Sequence, residues 1–350
     1  MSFDRQIKDF QEFLVKEKRY FDENFGKPVQ YNIRIDDFEI LKTVGKGTFS
    51  KVVLAKIIFN HELCALKICP KKTIVKYRQV EHTRNEKHIL EVIKFPFVIR
   101  LLYFFQDNSY LYYALTLVKG IEFNNRLNQL KKFSEEDATF YSAQIVLTLE
   151  YLHYLNLVYR NIRPESLVIA NSGYLKLIDF KFCKHVDERK ERTYTICGGP
   201  EYLAPEIILS RGYGRSCDYW SLGVIIYEIC FGCPPFTAKD HVKLYEKIIA
   251  GKYKMPSTFS KDLSSLVHKL LQIEVSKRIG NYKSGLNDVK SHGWFSAIDW
   301  DMILNRRAPP PYLPHKYYDD PSRDNVSDVY SPLDLQTIQN DIYAEEFYDF

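Results

Sequence analysis

The hydrophobic period of this chain changes once, near residue 119, and that change limits what it can build. Between residues 38 and 118 apolar residues come in short alternating runs: FEILKTV, SKVVLAKII, ELCALKIC, FVIRLLYFF and YLYYALTLV. Period-two alternation of that length predicts half-buried strands. A single segment with helical spacing, TRNEKHILEVI, interrupts them. From about 119 to 298 the spacing turns helical, in ATFYSAQIVLTLEYLHYL, SCDYWSLGVIIYEICFG and SSLVHKLLQI. Strands gathered first and helices gathered after them predict an α+β chain with a small β-rich part and a larger helical one. At 350 residues there is enough chain for two cores.

The flanks read differently. Within residues 1–37, the stretch from about 2 to 26 predicts an amphipathic helix, with Ile7, Phe10, Phe13, Leu14, Tyr20, Phe21 and Phe25 near helical spacing. Residues 299–350 carry PPPYLP and then acidic and aromatic residues, the composition of a tail that wraps other parts. A net charge of +5 is spread without a basic stripe, which argues against nucleic acid as a partner. No apolar run approaches the ~18 residues of a membrane helix. MSFDRQIKDF lacks a signal-peptide pattern and Ser2 replaces the glycine of a myristoylation signal, so no membrane anchor is expected. Seven cysteines are scattered; only Cys230 and Cys233 have metal-ligand spacing, and they close the apolar run VIIYEIC, where core packing is the simpler reading. A reducing compartment follows, the cytoplasm and also the nucleus.

Residues 45–52, GKGTFSKV, place Gly45 and Gly47 between two strands. A dinucleotide-binding turn would open a helix; a glycine-rich hairpin between strands instead folds over phosphates with its N–H groups inward. Ser50 stands where a third glycine is usual. Lys67 on the next strand would reach the phosphates, and Glu86 on the predicted helix would pair with it. Further along, residues 159–167 read YRNIRPESL, the frame of the kinase catalytic loop H/Y-R-D-x-K-P-E-N-L. With these motifs, and with FYSAQIVLTLEYLH, PEYLAPEIILS and the terminal F-x-x-F of Phe347 and Phe350, the chain resembles eukaryotic protein kinases. The resemblance is specifically to the catalytic subunits of cAMP-dependent protein kinase in the AGC group, and it covers almost the whole length.

That resemblance implies a bilobal protein-kinase fold with ATP at the cleft between the lobes. Gly45, Gly47, Val52, Ala65, Lys67 and Glu86 would line the nucleotide site, Leu115 to Val118 would form the hinge, and Glu122 would meet the ribose. Glu206 would pair with Arg278, and Asp218 would brace the catalytic loop. Glu122, Glu165, Glu201 and Glu228 would hold arginines of a basic peptide, with Ile196, Pro200 and Leu203 forming the apolar pocket beyond the phosphoacceptor. Thr195 matches the activation-loop phosphothreonine, with His82, Arg160 and Lys184 as its basic neighbours. Tyr194 and Tyr245 stand where aromatics meet a regulatory subunit. The implied partners are that subunit or an inhibitor protein, and Arg-rich substrates or pseudosubstrates. The activation loop is lengthened at DERKER, and Val326 replaces an adenine-facing aromatic of the tail.

The departures cluster. Asn161 stands in place of the catalytic aspartate, and a carboxamide orients a hydroxyl but takes up no proton. General-base catalysis contributes ~10²–10⁴-fold, so roughly 3–5 kcal/mol of barrier lowering is exposed to loss. Arg163 replaces the loop lysine. Ser166 replaces the asparagine that binds one of two Mg2+ ions, leaving Asp179 as the remaining metal ligand. Lys181 replaces the glycine of the metal-binding motif, and Gly199 the threonine that steadies the base. One expectation is that the Lys181 ammonium stands near Asp179 in place of one ion, making Mg2+ a single ion or dispensable. The favoured reading is a kinase fold that binds ATP and Arg-rich segments with phosphotransfer lost or strongly impaired. An active Ser/Thr kinase acting on R-R-x-S/T sequences, and a scaffold that binds no nucleotide, are the alternatives.

Overall fold

A computed structural model describes residues 7, 9–186, 192–314 and 340–350. Val326 and residues 187–191 of the lengthened activation loop lie outside them. The described residues fall into two compact units. One comprises Tyr20–Lys94, Ile99–Lys119 and residues 340–350; the other comprises the residues up to Arg19, Phe95–Val98 and Gly120–Pro314.

The leading helix α1 spans Phe10–Asn24, later than the sequence pattern places its start. Asp9 sets that boundary: its Oδ1 accepts the N–H groups of Gln11 and Glu12 at 2.8 and 3.1 Å, satisfying donors that have no partner inside the helix. Glycine at 26, with φ +74°, follows its end.

The strand-rich unit is an antiparallel sheet of β1 (Phe38–Lys46), β2 (Lys51–Ile57), β3 (Leu63–Pro70), β4 (Leu101–Gln106) and β5 (Tyr110–Thr116), in the order β1-β2-β3-β5-β4. Helices α2 (Lys71–Lys76) and α3 (Val80–Val92) lie between β3 and β4. Alternation explains its two faces. Val53, Ala55 and Ile57, then Cys64, Leu66 and Ile68, then Tyr112 and Ala114 point one way and form a core with Phe38 and Phe105. Val52, Ala65 and Lys67 point the other way and stay half-buried.

The run FVIRLLYFF reads as one strand, but β4 begins only at Leu101. Phe97 and Val98 belong instead to the helical unit, where the Phe97 carbonyl accepts the Leu177 N–H at 2.7 Å and Val98 bridges Leu177. A hydrogen bond to a distant segment outweighs local alternation there.

The helical unit contains β6 (Gly120–Glu122), α4 (Phe123–Leu130), α5 (Glu135–Tyr154), β7 (Leu157–Val158), β8 (Leu167–Ala170), β9 (Leu175–Leu177), β10 (Lys184–His185), α6 (Pro205–Ile208), α7 (Ser216–Phe231), α8 (His241–Ala250) and α9 (Lys261–Leu270). Ser134 caps α5 by accepting the Asp137 N–H at 3.1 Å. Helix α7 is buried almost throughout and stops at Gly232, whose φ of 102° only glycine adopts at little cost. Its Cys230 is buried and Cys233, just past its end, is exposed. A small sheet in the order β6-β8-β9, too short for a periodic signal, carries the loop of interest. Arg278, fully buried, holds Glu206 through two bonds of 2.7 and 2.9 Å. Among the described residues no helix is long and apolar enough to cross a membrane.

Candidate active site

In the strand-rich unit, register brings the predicted nucleotide residues into one row. Gly45 pairs with Val52, Val52 with Lys67 and Lys67 with Tyr113, while Ala65 pairs with Leu115. Directly opposed residues of an antiparallel ladder share a face, so this row is one surface. The glycine loop closes tightly, with Gly47 N–H donating to the Ser50 carbonyl at 2.8 Å. From α3, Glu86 accepts both its oxygens' worth of the Lys67 ammonium, at 2.6 and 2.8 Å. The lysine side chain is 15% exposed and the glutamate 6%, so the pair is largely shielded from solvent. Tyr113 supports it, with its ring 5.3 Å from the ammonium and its hydroxyl donating to the Thr83 carbonyl.

In the helical unit the catalytic-loop segment runs between β7 and β8. Asp218, at the start of α7, holds it from beneath: its carboxylate accepts the N–H groups of Tyr159 at 2.9 Å and Arg160 at 2.7 Å, and meets His153 Nε2 at 2.8 Å. Arg160 takes a φ of 68°, a conformation that needs such anchoring. Asn161 lies buried on this brace and donates from Nδ2 to Asp179 Oδ2 at 3.1 Å. Asp179 Oδ1 accepts the Lys181 N–H at 3.2 Å, and the Asp179 carbonyl accepts the Tyr159 hydroxyl at 2.5 Å.

The expected Lys181 ammonium is not at Asp179. Lysine 181 reaches that carboxylate through its backbone, while its ammonium stands 4.9 Å from the centroid of the Phe182 ring. Ser166 has also been taken up locally: its hydroxyl donates to the Arg163 carbonyl at 2.7 Å and accepts the Arg163 N–H at 3.3 Å. Among the described residues no group of three or more His, Cys, Asp or Glu could share a cation. At the two positions where the family would hold magnesium, Asp179 accepts the Asn161 amide and Ser166, shorter than asparagine, is bonded to the Arg163 backbone.

Of the predicted peptide carboxylates, Glu165 and Glu201 lie near enough to Glu228 for their charges to act on it. Glu228, on α7, accepts the Tyr202 hydroxyl at 2.5 Å. Burial pushes its carboxyl up to about 7; that hydrogen bond holds it back, and the charges of Glu165 and Glu201 push it further up. Arg163 Nε stands 3.8 Å from Glu165 Oε2, so the substituted arginine lies beside a carboxylate predicted to take substrate arginine. Glu122 accepts from Asn125 at 3.2 Å. Leu203 is buried, whereas Ile196 is 58% and Tyr194 62% exposed. Gly199 leaves room that Tyr202 and Arg163 fill: a Cβ there would meet Tyr202 Cδ2 at 3.0 Å and Arg163 Cδ at 3.5 Å.

Thr195 is exposed, and its carbonyl accepts the Tyr213 hydroxyl at 2.5 Å. The Arg160 guanidinium turns to the Phe182 carbonyl at 2.6 Å, Thr193 Oγ1 at 3.2 Å and the Tyr213 hydroxyl at 3.4 Å. Thr193 and Tyr213 exchange two backbone hydrogen bonds of 3.0 and 2.9 Å. Lys184 pairs with Val158 through β10, and His82 lies on α3 of the other unit. Sequence reading passed over Tyr159, Thr193, Tyr202 and Tyr213. Local signals existed for Tyr159, which opens YRNIRPESL, and for Tyr202, inside PEYLAPE.

Residues 38–295 match the family model for the protein kinase domain. Over 309 residues, 87% of this chain, it is 40% identical to cAMP-dependent protein kinase catalytic subunit 2 of Drosophila melanogaster, covering 86% of that protein. The chain belongs to the protein kinase family, in its cAMP-dependent catalytic-subunit branch. Across 288 residues this kinase-family chain is 40% identical to the human cAMP-dependent protein kinase catalytic subunit PRKX, covering 82% of the one and 79% of the other. It is also 42% identical to the Drosophila catalytic subunit 3 over 285 residues, 81% of this chain, but spans only 48% of that relative; for the Dictyostelium discoideum catalytic subunit, 40% identical over 326 residues and 92% of this chain, the share is 50%. The α+β kinase fold with a sheet-bearing N-lobe and helical C-lobe is thereby established.

Proposed function

We propose that this kinase-family chain binds ATP and arginine-rich segments, and that its phosphotransfer is strongly impaired. One observation carries the second half: the residue at the base position is an amide whose nitrogen donates to Asp179. That atom has protons to give and none to accept. A substrate hydroxyl oriented by Asn161 would keep its proton until late in the reaction, forfeiting roughly 10²–10⁴-fold in rate.

For ATP, the ammonium of Lys67, steered by Glu86, would meet phosphate oxygens, and N–H groups of the glycine loop other than that of Gly47, which the Ser50 carbonyl takes, would face them. Val52, Ala65 and Leu115 would offer apolar contact to the base. Adenine nucleotide supplies the transferable phosphoryl group when transfer occurs. The carboxylates Glu165, Glu201 and Glu228 favour guanidinium, which binds carboxylate through two parallel bonds. A regulatory subunit or inhibitor protein bearing an arginine-rich inhibitory segment is the partner of that chemistry.

The test is transfer of labelled phosphate to an R-R-x-S peptide, beside a chain carrying Asn161→Asp, Ser166→Asn, Lys181→Gly and Gly199→Thr together. The reading expects the unaltered chain to run at least ~10²-fold below the restored one. Turnover of the unaltered chain at ~1–100 s⁻¹ would instead establish an active kinase. Nucleotide binding is read separately, as an ATP-induced thermal shift that Lys67→Met removes.

A further inference from the structure

Both carboxylate oxygens of Asp179 are in use. Oδ2 accepts from Asn161 Nδ2 at 3.1 Å and Oδ1 from the Lys181 N–H at 3.2 Å. Turning the amide over would set Asn161 Oδ1 against a carboxylate oxygen, acceptor to acceptor, so chemistry selects the donor orientation. The other position from which this family's loop would reach a cation is closed on itself, through Ser166 Oγ and the Arg163 backbone. A magnesium ion needs oxygens at about 2.0–2.1 Å in near-octahedral array. Here one lone-pair direction of Oδ2 is taken by an N–H group with its own partial positive charge.

We propose that Asn161 replaces a divalent cation at Asp179: its amide supplies a positive partner to that carboxylate where the family would place metal. This deepens the reading of an impaired kinase and rests on it. The same substitution that removes the base also removes the need for the ion. Asn161→Asp would set two carboxylates about 3 Å apart, a repulsion that a cation relieves.

The experiment is thermal unfolding of the full chain, without nucleotide or peptide, in EDTA and in excess MgCl2 or MnCl2. The wild type is expected to melt at the same temperature in both. Asn161→Asp should melt about 5 °C lower or more in EDTA, having lost a charge-assisted hydrogen bond and gained like charge. Added metal should recover most of that loss, and Asp179→Asn in the same chain should abolish the recovery. If Asn161→Asp fails to fold, Asn161→Ala serves: it frees Oδ2 without adding charge. Electron paramagnetic resonance of Mn2+ should then show an Asp179-dependent bound ion absent from the wild type. Asp179-dependent Mn2+ binding by the wild type, or an Asn161→Asp chain as stable in EDTA as the wild type, would overturn the proposal, as would Asn161→Ala without a bound ion. Neither nucleotide nor substrate enters these measurements, so their failure is distinct from failure of ATP binding or phosphotransfer.

Discussion

Glu228 should make this protein less stable as pH rises, and its amide should abolish that trend. The residue is 9% exposed, and burial raises its carboxyl from an ordinary 4.5 to about 7. The native state therefore holds this proton more tightly than the unfolded chain does. The associated stability is fully present below about pH 4.5 and declines as pH climbs to about 7, because ionising the native carboxylate costs more than ionising the unfolded one. A shift of about 2.5 units at 1.36 kcal/mol per unit makes the loss on the order of 3 kcal/mol. Glu228→Gln keeps an acceptor for the Tyr202 hydroxyl but has no charge to desolvate. Urea denaturation of both chains at pH 5 and pH 8 reads the effect: the variant should gain roughly 2–3 kcal/mol over the wild type between those pH values. A wild-type minus variant difference that is the same at both pH values would refute the burial argument. Calorimetric titration with an R-R-x-A peptide gives the functional half. Affinity should rise as pH increases from 6 to 8, while Glu228→Gln binds weakly and without that dependence.

Two further outcomes follow from packing. Glu206→Ala leaves the fully buried Arg278 guanidinium without its carboxylate and should cost about 3–5 kcal/mol in denaturant unfolding. Gly199→Thr, made alone, should not restore the family's arrangement but destabilise by about 1–3 kcal/mol, since its Cβ meets Tyr202 and approaches Arg163. A double-mutant cycle with Arg163→Ala should show coupling of at least ~0.5 kcal/mol, and strict additivity would mean the two positions changed independently.

Much of the molecule was legible in local pattern. Period-two alternation in β2 and β3 separates the core residues Val53 and Leu66 from Val52 and Lys67 on the other face, and the strands' pairing then completes the row. The glycine pair between strands, the lysine after it and the glutamate on the helix marked the nucleotide side, because backbone geometry and charge put those residue types at that spacing. Chemistry alone also said that Asn161 is no base.

What the sequence could not decide was which partner each polar group would find. Asp179 is met by Asn161 and by the Lys181 backbone rather than by the Lys181 ammonium; Arg160 turns to Thr193 and Tyr213; Glu228 holds its proton near neutrality. Phe97 and Val98 leave the strand their pattern predicts for pairing with Leu177. Period and residue type are properties of a few consecutive positions. Burial and hydrogen-bond partners are supplied by segments far away in the chain, so only the folded arrangement sets them.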